Sequence, residues 1–220
     1  KNIIIDSKSG YSGAGRSIHT KYKNKNLYES LSAYGISSHR HNPEIEQELK
    51  KYTNSIINFT FTPHLTPMFR GILSTIYVDL KPGFSIKKIF KIMKKFHKKN
   101  VFVNVLKINS LISTNDVINT NYCNISICET KYKNKLIILS ALDNLIKGGA
   151  GQAIQNMNLK FGFKINEGIK WTNYWLYLWF YYIRAPRLFL EMMLNSQMIL
   201  LLKNLGSNLK NIPETTLIRI

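Results

Sequence analysis

Two imidazoles flank a guanidinium at His39-Arg40-His41, and Asn42-Pro43-Glu44-Ile45-Glu46-Gln47 follows at once. Imidazole is the side chain that changes charge near neutral pH, and the planar guanidinium fork suits a carboxylate or a phosphate. A proton-moving group therefore stands beside an anion holder, although the same residues would also serve as a polar loop ahead of a helix. Asp6-Ser7-Lys8-Ser9-Gly10-Tyr11-Ser12-Gly13-Ala14-Gly15-Arg16 is a second such stretch. Its glycines and serines let backbone N–H groups approach a ligand and could cradle an anion. It has neither the Gly-Lys-Ser/Thr ending of a phosphate-binding P-loop nor the dinucleotide fingerprint, so a generic tight turn is the alternative. A third stretch, residues 140–158, passes from an apolar run through Gly148-Gly149-Ala150-Gly151 to Gln152, Gln155 and Asn156. Small residues permit close approach of a flat ligand, and side-chain amides can read a carboxamide through paired donors and acceptors.

Arginine is informative here because lysine saturates the chain. Within residues 1–169 only Arg16, Arg40 and Arg70 occur. A position that accepted any cation would have drifted to lysine, whereas bidentate anion binding or a buried ion pair requires arginine. Cys123 and Cys128 match no metal spacing and no disulfide framework. They lie in or beside a strand, without the histidine or helix terminus that activates a thiol, and are read as structural residues in a reducing, cytoplasmic setting.

The elements that must position these groups follow from pattern. Ile3-Ile4-Ile5 reads as a buried strand delivering the chain to the glycine-rich loop. Pro43 fits the first turn of a helix reaching about Lys51, with Asn42 as its N-cap and Glu44, Glu46 and Glu48 near its positive end. Residues 56–61 alternate as a strand. Thr62-Pro63-His64-Leu65-Thr66-Pro67-Met68-Phe69-Arg70-Gly71 then reads as irregular, placing Arg70 on a shaped loop. Residues 72–80 resume a strand and turn at Lys81-Pro82-Gly83. Residues 85–99 carry Ile86, Ile89, Phe90, Met93 and Phe96 at helical spacing opposite a lysine face, with His97 at the solvent end; His19 is unremarkable. A strand is expected at 101–106, and a hairpin pairs 124–128 with 136–141.

The chain has 220 residues, 45% hydrophobic and 20% charged, and 31 Lys+Arg against 12 Asp+Glu give a net charge of +19. Such a balance admits a basic module for nucleic acid or an anionic membrane, through residues 87–99 and an aromatic tail. The lysines are scattered and accompany abundant Asn, Ile and Tyr, as AT-rich codon usage would produce. A solvated lysine face is the ordinary explanation, so no nucleic-acid partner is expected.

Four stretches together resemble one family, the N-acetyl-gamma-glutamyl-phosphate reductases of arginine biosynthesis. They are residues 6–16, the His39-Arg40-His41-Asn42-Pro43-Glu44-Ile45-Glu46-Gln47 run, the Phe61-to-Ile72 segment and residues 143–158, in the family's order. The resemblance implies an α+β fold: a mixed, largely antiparallel sheet covered by helices, as in the substrate and dimerisation domain of semialdehyde dehydrogenases. That domain would span 1–169, with helix 151–162 returning to a Rossmann domain absent from this sequence. It also implies NADPH-dependent reduction of N-acetylglutamyl phosphate to N-acetylglutamate semialdehyde with release of phosphate. A cysteine thiolate attacks the acyl phosphate in such enzymes, and a histidine serves as acid and base.

The residue matching that histidine is His39. Tyr34, Ser9, Gly10 and Ser12 are placed near the same centre by resemblance, Arg40 or Arg70 would bind the anion, and Gly149, Gln152, Gln155 or Asn156 would approach the nicotinamide. No metal is implied, and the intact enzyme is expected to be a homo-oligomer. The family's Gly-Cys-Tyr-Pro-Thr nucleophile motif is not in these residues, so the chain is expected to be inactive alone, as a truncated, degraded or split carboxyl-terminal part. Residues 170–220 depart from the family. They hold all three tryptophans and two apolar runs short of a membrane span, and read first as a frame-shifted or read-through tail, second as an interfacial or membrane-associated hairpin and third as a packed extension.

Overall fold

The structure, a computed structural model, describes residues 2–13, 28–51 and 57–169. Expectations for Arg16, His19 and the tail at 170–220 lie outside them. Among the described residues the chain forms one seven-stranded sheet in the order β2-β3-β1-β4-β7-β6-β5. The strands are β1 (Asn2–Gly10), β2 (Ser32–Ala33), β3 (Asn58–Thr66), β4 (Ile72–Asp79), β5 (Val103–Val105), β6 (Cys123–Glu129) and β7 (Lys135–Leu142). Parallel pairing joins β1 to β3 and β5 to β6, and every other neighbouring pair is antiparallel. The sheet is mixed and largely antiparallel, as expected. The helices are α1 (Asn42–Lys51), α2 (Ile86–Phe96) and α3 (Gly151–Phe161).

Register explains which strands the sequence could build. Phe61, Ile5, Ile76, Ile138 and Ile127 form one row across five strands on a single face, because in-register residues of a pleated sheet project to the same side. Ile127 is fully buried, Leu136 is buried on the same face two residues from Ile138, Ala141 is buried on the opposite face, and Val117 and Phe102 are buried as well. One row further along β1 the residues become polar, and Ser7 Oγ meets Ser74 Oγ at 2.6 Å. Ser9 lies on the same face, two residues on. The opposite face carries exposed Ile4 and Tyr77, and Lys8 pairs with Asp6 at 2.8 Å.

Helix α2 begins where Ser85 caps it, accepting a hydrogen bond from the Lys88 N–H. Its Ile86, Ile89, Phe90 and Met93 are half-buried while its lysines face outward. His97 forms the C-terminal cap, and its ring lies 2.9 Å from the Asn100 side chain.

Three expectations are corrected. Strand β1 does not end at Ile5 but runs to Gly10, held by β3 on one side and β4 on the other. A Cβ at Gly10 would come within 2.5 Å of the Phe69 carbonyl oxygen, so only glycine lets the two segments close. Strand β3 passes straight through Pro63 to Thr66. The Pro63 carbonyl accepts from Tyr34 N–H at 3.1 Å, so its missing donor faces the side of β2, just past the last paired residue, Ala33. Proline is tolerated where the ladder has run out. The third correction concerns Asn42, whose Oδ1 has no hydrogen-bond partner and does not cap α1.

Candidate functional site

His39 stands on the turn between β2 and α1. The turn is tight: Gly35 and Ser37 both adopt the left-handed conformation, at φ 57° and 61°, and Ser38 N–H bonds back to the Gly35 carbonyl at 3.2 Å. A side chain at Gly35 would crowd His39, since a Cβ there would lie 3.2 Å from its Cδ2. The imidazole is fixed edge-on to Tyr34, Phe61 and His41, with ring centroids 5.5, 5.2 and 4.9 Å apart. The His41 backbone N–H donates to His39 Nδ1 at 3.2 Å. Burial, then the neighbouring His41 and Arg40 charges, hold the His39 pKa below its ordinary 6.5, so the ring is neutral at physiological pH. His41 and Arg40 are exposed beside it. The structure thus brings His39, Tyr34 and Arg40 together, with Phe61 of the apolar row as the floor.

Arg70 belongs to a different constellation. Its guanidinium lies 3.3 Å from Asp143 Oδ2, with the two side chains 12% and 0% exposed, and Nη1 also donates to Asn119 Oδ1. Asp143 accepts three further hydrogen bonds, from the backbone N–H groups of Asn119 at 2.9 Å, Leu145 at 2.8 Å and Ile146 at 2.9 Å. Of the two uses that demand arginine, Arg70 shows the buried ion pair.

Next in sequence, Asn144 ties the glycine-rich segment down. Its Oδ1 accepts from Gly71 N–H at 2.7 Å and its Nδ2 donates to Ser12 Oγ at 2.9 Å. Backbone bonds from Gly10, Tyr11 and Ser12 to Gly71, Met68 and Phe69 finish the clasp. Ser12 is buried in it, whereas Ser9 stays half-exposed with its hydroxyl donating to the Gly10 carbonyl at 3.2 Å. The spacing of Asp143 and Asn144 at the end of a strand was the one available signal for this latch, and it pointed to nothing without the fold.

Past β7 the chain makes a wide helical turn at Ile146–Ala150 and enters α3. Lys147 Nζ donates to Gln152 Oε1 at 2.8 Å and to Gln155 Oε1 at 2.6 Å, and burial lowers its pKa while nearby Cys123 acts to raise it. Gln155 is buried and also accepts from Asn121 Nδ2 at 2.8 Å, so its amide oxygen faces the domain interior. Gly149 and Asn156 are exposed and Gln152 half-exposed, and Gln152 Nε2 donates to Asn156 Oδ1 at 3.0 Å. Both cysteines are free thiols, with Cys123 Sγ 3.4 Å from Ser140 Oγ and Cys128 Sγ 3.7 Å from Ser126 Oγ. No cluster of metal-binding side chains occurs among the described residues. No helix among them is long and apolar enough to cross a membrane.

Comparison with known proteins agrees with this architecture. The proteins of Thermoanaerobacter sp., Staphylococcus saprophyticus and Clostridium kluyveri named N-acetyl-gamma-glutamyl-phosphate reductase are 46%, 44% and 47% identical over 167, 168 and 169 residues. Each alignment covers 76–77% of this chain and 48–49% of the relative, so the chain spans about half the length of the curated relatives it matches. Among solved structures, aspartate semialdehyde dehydrogenase II from Vibrio cholerae superposes with a TM-score of 0.54 at 13% identity, covering 72% of this chain and 54% of that one. The family described as semialdehyde dehydrogenase, dimerisation domain, matches residues 1–144, and the chain belongs to that family.

Proposed function

We propose that this chain is the substrate-facing and oligomer-forming part of an N-acetyl-gamma-glutamyl-phosphate reductase, supplying the histidine of the reaction while the nucleophilic cysteine and most of the cofactor site come from a complementary segment. The observation that carries the reading is the His39 turn. It is a neutral imidazole fixed by Tyr34 and Phe61 beside an exposed arginine, in a chain 46% identical to a protein of that name.

Each residue then has a task its chemistry supports. His39 contacts the reacting carbonyl group. Arg40, exposed next to it, binds the acyl phosphate or a carboxylate through its planar fork, and Arg70, held by Asp143, keeps the loop in shape. Tyr34 orients the imidazole. Ser9 and Gly10 line the approach from the end of β1, and Ser12 anchors it through Asn144. NADPH, when bound, supplies a hydride to the acyl carbon. Gly149, Gln152 and Asn156 fit its carboxamide, having an accessible amide pair beside a residue without a side chain, and Gln155 does not because its amide is bonded inward. Isolated, the chain would bind substrate weakly and turn none over. The working enzyme is a cytoplasmic homo-oligomer.

The test is complementation. The full chain is co-expressed with the amino-terminal half of the Thermoanaerobacter relative, and phosphate-dependent reduction of NADP by N-acetylglutamate semialdehyde is followed at the nicotinamide absorbance. Activity is expected for the pair, none for either part, and at least ~100-fold less with His39→Ala. Equal turnover by the His39→Ala pair would remove the histidine from the mechanism.

A further inference from the structure

Lys147 decides which way the amides of α3 face. A side-chain amide carries an acceptor on one branch and a donor on the other, and a half-turn exchanges them. An ammonium, by contrast, has three hydrogens to give and accepts none. Lys147 Nζ lies 2.8 Å from Gln152 Oε1 and 2.6 Å from Gln155 Oε1, so both amides turn their oxygens toward it. Gln155 Oε1 takes a second hydrogen from Asn121 Nδ2 at 2.8 Å, and this branch ends inside, with Asn121 and Gln155 only 1% and 6% exposed. Asn121 Oδ1 has no hydrogen-bond partner and rests by Gly151, where a Cβ would lie 2.2 Å from it. Reversing that amide would set its oxygen against Gln155 Oε1. The other branch runs outward. Gln152 Nε2 donates to Asn156 Oδ1 at 3.0 Å, so the outward ends of the chain of amides are N–H groups of Gln152 and of the exposed Asn156, beside Gly149.

We propose that Lys147 is a positioning residue that fixes Gln152 and Asn156 as hydrogen-bond donors, so that this face takes an acceptor, the carbonyl oxygen of the nicotinamide carboxamide and not its amide nitrogen. The cofactor part rests on the reductase reading; the direction of the amides does not. As a stabilising device the lysine is poorly placed. No carboxylate pairs with it among the described residues, it stands beside the positive end of α3, where a cation is disfavoured, and burial opposes its charge, with Cys123 acting the other way. What the ammonium supplies is direction. A carbonyl oxygen has two lone pairs for the N–H groups offered here, whereas the carboxamide nitrogen, a donor, would meet only donors.

The first experiment uses the full chain labelled with ¹³C and ¹⁵N. Correlations through the hydrogen bond are expected from Lys147 Nζ to the side-chain carbonyl carbons of both Gln152 and Gln155. Their absence, or amide protons of Gln152 in NOE contact with the Lys147 side chain, overturns the proposal. The second uses the complemented enzyme with the 3-acetylpyridine analogue of NADP, which keeps the carbonyl oxygen and carries a methyl group in place of the amide nitrogen. Its altered reduction potential acts on kcat, so KM is the readout. A KM within about threefold of that for NADP is expected, and one roughly tenfold higher, the worth of a lost hydrogen bond, shows that the nitrogen is read and overturns the acceptor assignment. Lys147→Met should raise KM for NADP by roughly two- to tenfold with kcat little changed, and Lys147→Arg, which also only donates, should restore it. Wild-type KM in an active Lys147→Met enzyme overturns the positioning role while the reductase reading stands. If complementation fails although the correlations are present, the amide direction stands and the cofactor part falls with that reading. The wild-type spectra and the analogue give their answers even if Lys147→Met does not fold.

Discussion

Replacing Asp143 with alanine should unfold this domain more readily than any substitution at the histidine turn. The carboxylate is 0% exposed and accepts hydrogen bonds from the Arg70 guanidinium and from three backbone N–H groups, those of Asn119, Leu145 and Ile146. Alanine would leave a guanidinium of 12% exposure without its counter-ion. Breaking a buried pair by deleting one partner typically destabilises by about 3–5 kcal/mol, and each orphaned backbone donor adds toward the upper end. Retained contact between Arg70 and Asn119 Oδ1 and water entering the gap act the other way. The balance is a loss of about 4 kcal/mol, which at a urea slope of roughly 2 kcal/mol/M lowers the unfolding midpoint by about 2 M. Arg70→Met should do less, about 2 kcal/mol, because the carboxylate keeps its three backbone donors. Circular dichroism during urea titration of the full chain measures both. An Asp143→Ala midpoint within about 0.5 M of wild type would refute the reasoning. Unchanged stability in Arg70→Met, together with weakened substrate binding in the complemented enzyme, would return Arg70 to the anion-binding role.

The other predictions concern the clasp, the turn and pH. Asn144→Ala should lower stability by about 2–3 kcal/mol, because the Gly71 N–H and the Ser12 hydroxyl both lose a buried partner; the same urea titration reads it, and proteolysis should appear first near Gly13. Gly10→Ala should be at least as damaging as Asn144→Ala, since its Cβ would meet the Phe69 backbone carbonyl at 2.5 Å and the two segments cannot part without breaking the backbone bonds of Gly10, Tyr11 and Ser12 to the β3–β4 loop. For His39 the folded chain resists protonation, so the unfolded chain takes up a proton first as pH falls through 6.5. The stability the wild type has above that value is therefore lost progressively below it. The difference in urea midpoint between about pH 7.5 and pH 5.5 should be smaller in His39→Gln, and an unchanged difference would show that other groups set it.

Most of the sheet was legible because period-two patterning is a local signal. The β6–β7 hairpin and β4 could be read within a residue or two, and α2 announced itself through Ile86, Ile89, Phe90 and Met93 opposite lysine. Strand β1 beyond Ile5 and strand β3 beyond Phe61 were hidden, for a common reason. Asp6-Ser7-Lys8-Ser9 and Thr62-Pro63-His64 look like loops in isolation, and it is their mutual parallel register, with β4 pairing on the other side of β1, that makes them strands. Pairing between segments 56 residues apart in sequence is a tertiary fact, which local propensity cannot encode.

The same distinction separates the two arginines. Composition marked Arg40 and Arg70 equally, as cations that a lysine-rich chain had kept. What the sequence could not supply was Asp143, 73 residues further on, whose carboxylate turns Arg70 inward and bonds the first N–H groups of the following turn. With that partner in place, Arg70 ties the β3–β4 loop to the entrance to α3, and Gly71, its neighbour, is held by Asn144, the neighbour of Asp143. Arg40 has an exposed side chain beside a neutral histidine whose pKa it helps to depress. An anion arriving there would offset the Arg40 charge and relax that depression. Phosphate or a carboxylate bound at Arg40 should therefore raise the His39 pKa, whereas binding at a distant site would leave it unmoved. Titration of the His39 resonance with and without inorganic phosphate distinguishes the two, and the effect should vanish in Arg40→Gln.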